Sequence, residues 1–156
     1  MLSIDISGYK KLILKFLVLD YNGTLATNGK LKNGVKEKVN LLSEKLDISV
    51  VTGDTFGTAL KYLKDLNCKL VVAPNRNQKT FKMEYVESLG KEGVVSIGNG
   101  RNDALMLKVS CLGISILGDE GLSKEALLES DIMVKDILDA FDLLLYPTKL
   151  IASLRG

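Results

Sequence analysis

The sequence predicts an α/β domain: a doubly wound, three-layer parallel sheet with helices on both faces and a β-hairpin at its start. Three observations carry that prediction. Short apolar runs alternate with segments of helical period along most of the chain, the links between them are short, and several apolar runs stop abruptly at a polar residue or a glycine. Strands alternating with helices over short links form βαβ units, and a parallel strand buried on both faces reads as a continuous apolar run. The 156 residues suit one domain, residues 1–156, long enough to bury a core of its own.

Residues 2–6 alternate apolar and polar side chains, Ser7-Gly8 turns, and an apolar run over 12–19 follows. This predicts an opening hairpin whose first strand is an edge partner of the sheet. Asn28-Gly29 is a hairpin-turn dipeptide and predicts a small flap over residues 26–31. Val35, Val39, Leu42 and Leu46 recur at helical spacing with Lys and Glu on the other face, so a crossover helix is expected there. The alternation continues with a strand over 48–51, a helix over 55–66, a strand over 70–73, a helix over 79–89 and a strand over 94–97. A helix from Asn102, a strand over 111–117, a helix over 123–129, a strand over 132–134 and a helix over 136–145 complete it before Pro147. The tail over 148–155 offers a further helical turn or two, with Leu150, Ile151 and Leu154 turned to the core or to a partner. No repeat or long linker marks a second domain.

The net charge of +2 is small and evenly spread, which gives no electrostatic case for a nucleic-acid partner. No apolar run approaches the roughly 18 residues of a membrane span, and the opening residues, with Asp5 and Lys10-Lys11, do not read as a signal peptide. A cytoplasmic location away from membranes is expected. Cys68 and Cys111 lie far apart beside apolar residues and form no metal-spaced pair, which predicts reduced, buried thiols. The chain has no histidine. Histidine triads and relays are therefore excluded, and acid–base chemistry must come from carboxylates, Lys, Tyr or Cys.

The most informative apolar run is Leu17-Val18-Leu19, which ends in Asp20-Tyr21-Asn22-Gly23-Thr24-Leu25. It reads as a buried parallel strand running into a tight turn, with Asp20 at the strand's carboxyl end. In an open α/β sheet that is where ligands bind, and a carboxylate there can be a nucleophile, a metal ligand or both. The stretch resembles the first motif of the haloacid dehalogenase superfamily, Asp-x-Asp-Gly-Thr-Leu, and the Asp-Lys-Thr-Gly-Thr of P-type ATPases. The resemblance implies a Rossmann-like fold in which Asp20 attacks phosphorus and becomes an aspartyl phosphate. Read without it, the stretch is a strand closed by an Asn-Gly turn.

Three further strand ends fall in the superfamily's order. Val51-Thr52-Gly53-Asp54 is similar to its second motif, in which the hydroxyl at Thr52 and the backbone N–H at Gly53 would hold the transferring phosphoryl group; otherwise Asp54 or Thr55 caps the next helix. Lys82 matches the third-motif lysine, with Val86 and Leu89 at the apolar positions that follow it in P-type ATPases, and Lys79 is the competing candidate. An ammonium there would offset the repulsion between Asp20 and an incoming phosphate. Gly98-Asn99-Gly100-Arg101-Asn102-Asp103 resembles the fourth motif, Gly-Asp-Gly-x-Asn-Asp. Glycines let such a loop fold tightly, and its oxygen-bearing side chains suit Mg²⁺. The resemblance places Asp20, the Asn22 backbone carbonyl, Asn99 and Asp103 at the metal and Asn102 with the substrate; the plainer reading makes Asn102 or Asp103 a helix N-cap.

Two departures bear on function. Where the superfamily's phosphatases carry their acid/base Asp, this chain has Asn22, and a general acid–base group contributes about a hundred- to ten-thousandfold in rate. Asn99 replaces a metal-binding carboxylate, which weakens Mg²⁺ binding while leaving an amide oxygen as a hard ligand. The expected activity is a slow Mg²⁺-dependent phosphatase, least impaired on aryl or acyl phosphates. The intervals from Asp20 to Thr52 and from Thr52 to Lys82 are too short for the family's cap domains or for the nucleotide-binding insertion of the pumps. Capless members act on large substrates or close their sites with a neighbouring subunit, which implies a homo-oligomer acting on a small-molecule or protein phosphate. The alternative is a regulatory phosphate-binding module without useful turnover. A response-regulator receiver fits less well, because Asp5 stands alone where receivers carry an acidic pair.

Overall fold

The computed structural model describes residues 1–53 and 57–156. The chain opens with β1 (Leu2–Asp5) and β2 (Lys11–Leu14), then β3 (Phe16–Asp20) and a flap of β4 (Ala26–Thr27) and β5 (Lys30–Leu31). The alternation follows as α1 (Val35–Ser43), β6 (Asp47–Thr52), α2 (Thr58–Leu63), β7 (Lys69–Val72), α3 (Gln78–Ser88) and β8 (Val94–Gly98). A 3-10 turn, Arg101–Asp103, leads into α4 (Ala104–Val109), β9 (Leu112–Ile116), α5 (Lys124–Glu129), β10 (Ile132–Val134), α6 (Ile137–Leu145) and α7 (Thr148–Leu154). Ser123 and Asp136 cap α5 and α6 by accepting from the amides of Ala126 and Leu138.

Six strands form one parallel sheet in the order β10-β9-β8-β3-β6-β7. The chain winds outward from β3 in one direction, then returns to its other side, so the order reverses between β3 and β8. That is the topological switch point at which such sheets bind ligands. Alternation along the strands sorts the core into two layers. Leu17, Leu19, Val50, Val95 and Ile97 pack with Val39 and Leu42 of α1 and Phe141 and Leu144 of α6. Val18, Val51 and Val94 pack on the opposite face with Val86 of α3 and Met106 of α4. By the same period of two, Asp20 shares Val18's face and points toward α3.

The expected opening hairpin is present, but it stands apart from the main sheet. The apolar run over 12–19 is two strands broken at Lys15, and β1 pairs only with β2, as a separate two-stranded sheet. Lys15 is the crossing point: its N–H donates to Gly93 O at 2.8 Å and its C=O accepts from Asp47 N at 2.9 Å. Both edges of β3 are taken by β6 and β8, which leaves no place there for β1. The tail resolves toward the core, with Leu150 buried and Ile151 and Leu154 packed against it. Cys68 and Cys111 are free thiols but only half-buried, and burial pushes both above the ordinary thiol range.

The flap turns on Asn28 and Gly29, both with positive φ, the conformation that a two-residue hairpin turn requires. Its tip is tied to the strand end below it. The fully buried Tyr21 donates its hydroxyl to Gly29 O at 3.0 Å, and at the base Thr27 Oγ1 donates to Asp119 Oδ2 at 2.8 Å. Tyr21→Phe removes the first tie and is expected to cost about 1 kcal/mol in urea unfolding. Amide exchange at residues 28–31 should accelerate in the same variant.

Candidate active site

At the carboxyl end of β3 the chain leaves the sheet through a tight turn in which Tyr21 O accepts the amides of Thr24, Leu25 and Ala26 at 3.2, 2.9 and 3.0 Å. The turn brings Thr24, which is fully buried, back over Asp20, and its hydroxyl donates to Asp20 Oδ2 at 3.1 Å. On the other side, α3 presents Val86 to Val18 in the core. One turn earlier on the same helix face, Lys82 meets Asp20 at 2.6 Å. Lys82 Nζ also lies 2.6 Å from Asp103 Oδ1 and has no exposed surface. Lys79, the competing candidate, sits at the rim and pairs with Glu125 at 2.6 Å.

The loop after β8 is built around Asp103. Its Oδ2 accepts the backbone amides of Asn99 at 3.1 Å and Gly100 at 2.9 Å, and its other oxygen holds Lys82. The turn needs glycine at 98, because a Cβ there would stand 2.6 Å from Asp103 Cγ. With these bonds Asp103 holds both the loop and Lys82. Asn99 donates its Nδ2 to Gly121 O at 2.9 Å, which turns its Oδ1 toward Thr24 Oγ1 at 3.4 Å. Asp20 Oδ2 and Asn99 Oδ1 therefore converge on one hydroxyl. Asn22 lies on the turn with its side chain exposed.

Thr52 is buried as the last residue of β6, one step past Val51, which is Asp20's partner across the ladder. Gly53 follows, and a Cβ on it would overlap the carboxamide of Gln78. Asp54 and Thr55, the alternative helix caps, lie outside the described residues; α2 begins after Gly57. Asn102 does not join the cluster: its Nδ2 donates to Gln78 Oε1 at 3.2 Å. Thr24, Gln78 and Glu120 were missed as site residues. Glu120 reaches the same face of Gly23 as Asn99, where an added Cβ would lie 2.6 Å from Glu120 Oε2 and 2.8 Å from Asn99 Nδ2.

Charge dominates the cluster. Burial and the neighbouring Asp103 carboxylate push the Asp20 carboxyl up to about 6, against the opposing pull of Lys82 and the Thr24 hydroxyl. Burial acts to lower the Lys82 pKa, but Asp20 and Asp103 outweigh it and hold the ammonium above its ordinary range. With all three ionised, the cluster carries one net negative charge. Among the described residues no group of three or more His, Cys, Asp or Glu is arranged to hold a metal ion. The donors that converge are hard oxygens, which fits Mg²⁺, an ion that takes one or two carboxylates and completes its shell with water and phosphate.

No family model matches the chain. In sequence it is 47% identical over 83 residues to an uncharacterized protein of Methanocaldococcus jannaschii, a match covering 51% of this chain and 89% of that one. It is 29% identical over 127 residues to a copper-transporting ATPase of Oryza sativa, covering 78% of this chain and 12% of the pump. Among solved structures, the cobalt-bound deoxy-D-mannose-octulosonate 8-phosphate phosphatase of Haemophilus influenzae matches with a TM-score of 0.72 at 13% identity, over 92% of this chain and 94% of that one. The chain has the fold of the haloacid dehalogenase phosphatases. A 3-deoxy-D-manno-octulosonate 8-phosphate phosphatase of Moraxella catarrhalis, solved with magnesium, phosphate and KDO, shares the superfamily fold with a TM-score of 0.66 at 16% identity, over 90% of each chain. Neither the interval from Asp20 to Thr52 nor that from Thr52 to Lys82 holds a cap domain among the described residues, and no helix there is long and apolar enough to cross a membrane.

Two stability measurements test the site as described. Because the folded Asp20 carboxyl titrates above its unfolded value, its contribution to stability is full below about pH 4 and is lost as pH rises through about 6. Asp20→Asn is therefore expected to stabilise the metal-free protein at pH 7.5, by something on the order of 2 kcal/mol. The gain should vanish at pH 4, as followed by thermal unfolding at both pH values. Asn99→Asp would set a carboxylate oxygen against Gly121 O where an N–H now donates. It is expected to cost about 1–3 kcal/mol in denaturant unfolding.

Proposed function

We propose that this chain is a Mg²⁺-dependent phosphohydrolase that forms an aspartyl phosphate on Asp20 and turns it over slowly. The observation that supports the reading is the bridge from Lys82 to both Asp20 and Asp103, which unites residues of three motifs at the switch point of the sheet. Asp20, the Asn22 carbonyl and Asn99 Oδ1 are the groups that would hold Mg²⁺, whose bound charge would offset that of the phosphoryl group. Two phosphatases of the same fold are seen with a divalent ion bound, magnesium in one and cobalt in the other, which supports a divalent metal here. The names of those phosphatases also favour a phosphorylated small molecule over a protein phosphate.

In the reaction an Asp20 oxygen attacks phosphorus and the bond to the leaving oxygen breaks. Lys82 reduces the repulsion between Asp20 and the incoming dianion, while Thr52 and the Gly53 amide hold the phosphoryl oxygens. The leaving oxygen takes its proton from water, since Asn22 has none to give. A second water then attacks phosphorus, releasing phosphate and restoring Asp20. The open mouth is closed by a second copy of the chain or by the substrate itself, and the half-buried reduced thiols accord with work in the cytoplasm.

A regulatory phosphate-binding module is the second reading, and the exposed asparagine at position 22 is what favours it. The two part company in a p-nitrophenyl phosphate assay with and without Mg²⁺. The enzyme reading expects activity that Mg²⁺ supports and Asp20→Asn abolishes, and that Asn22→Asp raises by about a hundred- to ten-thousandfold. No turnover in wild type or in Asn22→Asp would hand the case to the module.

A further inference from the structure

Beside the Asp20 cluster lies a groove of about 420 Å³ lined by Asn75, Asn77, Gln78, Lys79, Arg101 and Asn102. Its lining is unusual for a small-molecule site, since such sites are mostly apolar. Here there are four carboxamides and two cations, with no aliphatic or aromatic side chain. Its position relative to the chemistry follows from α3. Lys82 touches Asp20, and Gln78 is one helical turn closer to the helix start on the same face, about 6 Å further out. Gln78 also packs on Gly53 and accepts from Asn102, so it joins the ends of β6 and β8 across the mouth of the site. A phosphate ester seated on Asp20 would extend its leaving group along this wall.

The charges in the groove do not cancel. Lys79 Nζ and Arg101 Nε share a single carboxylate, each 2.6 Å from one oxygen of Glu125. Two cations on one anion leave one positive charge. Carboxamides offer both donors and acceptors and match hydroxyl groups, which are both as well.

We infer that this groove is the leaving-group subsite and that the substrate is a hydroxylated phosphate ester carrying a second negative charge. The inference rests on the phosphohydrolase reading. It also turns preference away from aryl phosphates, which find no aromatic or aliphatic side chain to pack on here and serve only as reporters of the chemistry.

The test compares 6-phosphogluconate with sorbitol 6-phosphate, which share the phosphate and the polyol chain and differ in the terminal carboxylate. Wild type should prefer 6-phosphogluconate in kcat/KM by about tenfold, the size of one charge-assisted contact. Arg101→Gln with Lys79→Gln should bring the ratio near one, and Glu125→Gln, which frees both cations, should raise it. The rise cannot come from damaged folding. Equal use of the two compounds, or a preference that survives the double substitution, overturns the subsite. Calorimetry on Asp20→Asn separates this from the catalytic reading. If wild type hydrolyses neither compound yet this variant binds 6-phosphogluconate about tenfold more tightly, the subsite stands and the hydrolase falls. Hydrolysis of both at equal rates gives the reverse, and neither binding nor hydrolysis overturns both.

Discussion

Removing an ammonium wholly from water is costly unless its charge and its N–H donors are answered, and for Lys82 the answer is two carboxylates from distant parts of the chain. Asp20 ends β3, Asp103 closes the loop after β8, and Lys82 stands on the helix that packs over both. The three cannot meet unless β3 and β8 are neighbours and α3 crosses their shared face, so the bridge depends on the strand order that creates the switch point. The dependence also runs the other way. Asp103 can hold Lys82 with one oxygen only because its other oxygen is satisfied by the Asn99 and Gly100 amides. The glycine at 98 lets the loop come close enough for that.

The surplus charge of this cluster is what would suit it to the proposed chemistry. Two carboxylates around one ammonium leave Asp20 poorly stabilised as an anion, and burial adds to the penalty. A buried carboxylate whose charge is only partly compensated gains when an electrophilic phosphorus or a cation arrives. Stability given up in the free protein is thereby recovered on binding, a trade often made at functional sites. Asp20 also faces α3, because the period of two that buries Val18 on that side carries it there.

Much of this was legible in the sequence, for physical reasons that can be named. Buried parallel strands must be apolar, so each strand of the main sheet could be read as a run, and an acid ending such a run marks a sheet's functional edge. Lys82 was distinguishable from Lys79 through the resemblance to P-type ATPases, which puts Val86 and Leu89 at the apolar positions after the lysine, and Val86 is buried. The break at Lys15 was not legible, since its backbone partners, Gly93 and Asp47, are far along the chain. The same holds for the partners of Asp103, since the bond to Lys82 and those from the Asn99 and Gly100 amides arise only in the folded loop. Thr24 lay within a quoted motif without a role, because a hydroxyl's partner depends on a turn that periodicity does not resolve. Gln78 and Glu120 carry no motif, and their contacts with Gly53 and Gly23 arise from the folded loops alone.

The two asparagines that depart from the superfamily's pattern look alike in sequence and differ in structure. Asn99 is integrated: its N–H₂ has an acceptor in Gly121 O that a carboxylate could not use, and its oxygen is aimed by that bond toward the Asp20 side of Thr24. The loop over 117–121 is in turn fixed by Leu117 and Gly118 donating to Val134 O and Lys135 O, so the acceptor that orients Asn99 is held by the end of the sheet. An amide at position 99 is thus supported by its surroundings, where a decayed ligand would leave an unpaired group. Asn22 has an exposed side chain, and the bonded cluster forms without it. The two changes share one electrostatic consequence. A site with carboxylates at both positions would bring two further negative charges to the same space. With amides there, a divalent cation bound as proposed would turn the cluster from one net negative charge to one net positive charge, which would favour capture of a dianion and slow its release. On that reading affinity for phosphate and speed of turnover would be opposed, with the charge of the site set in favour of the first.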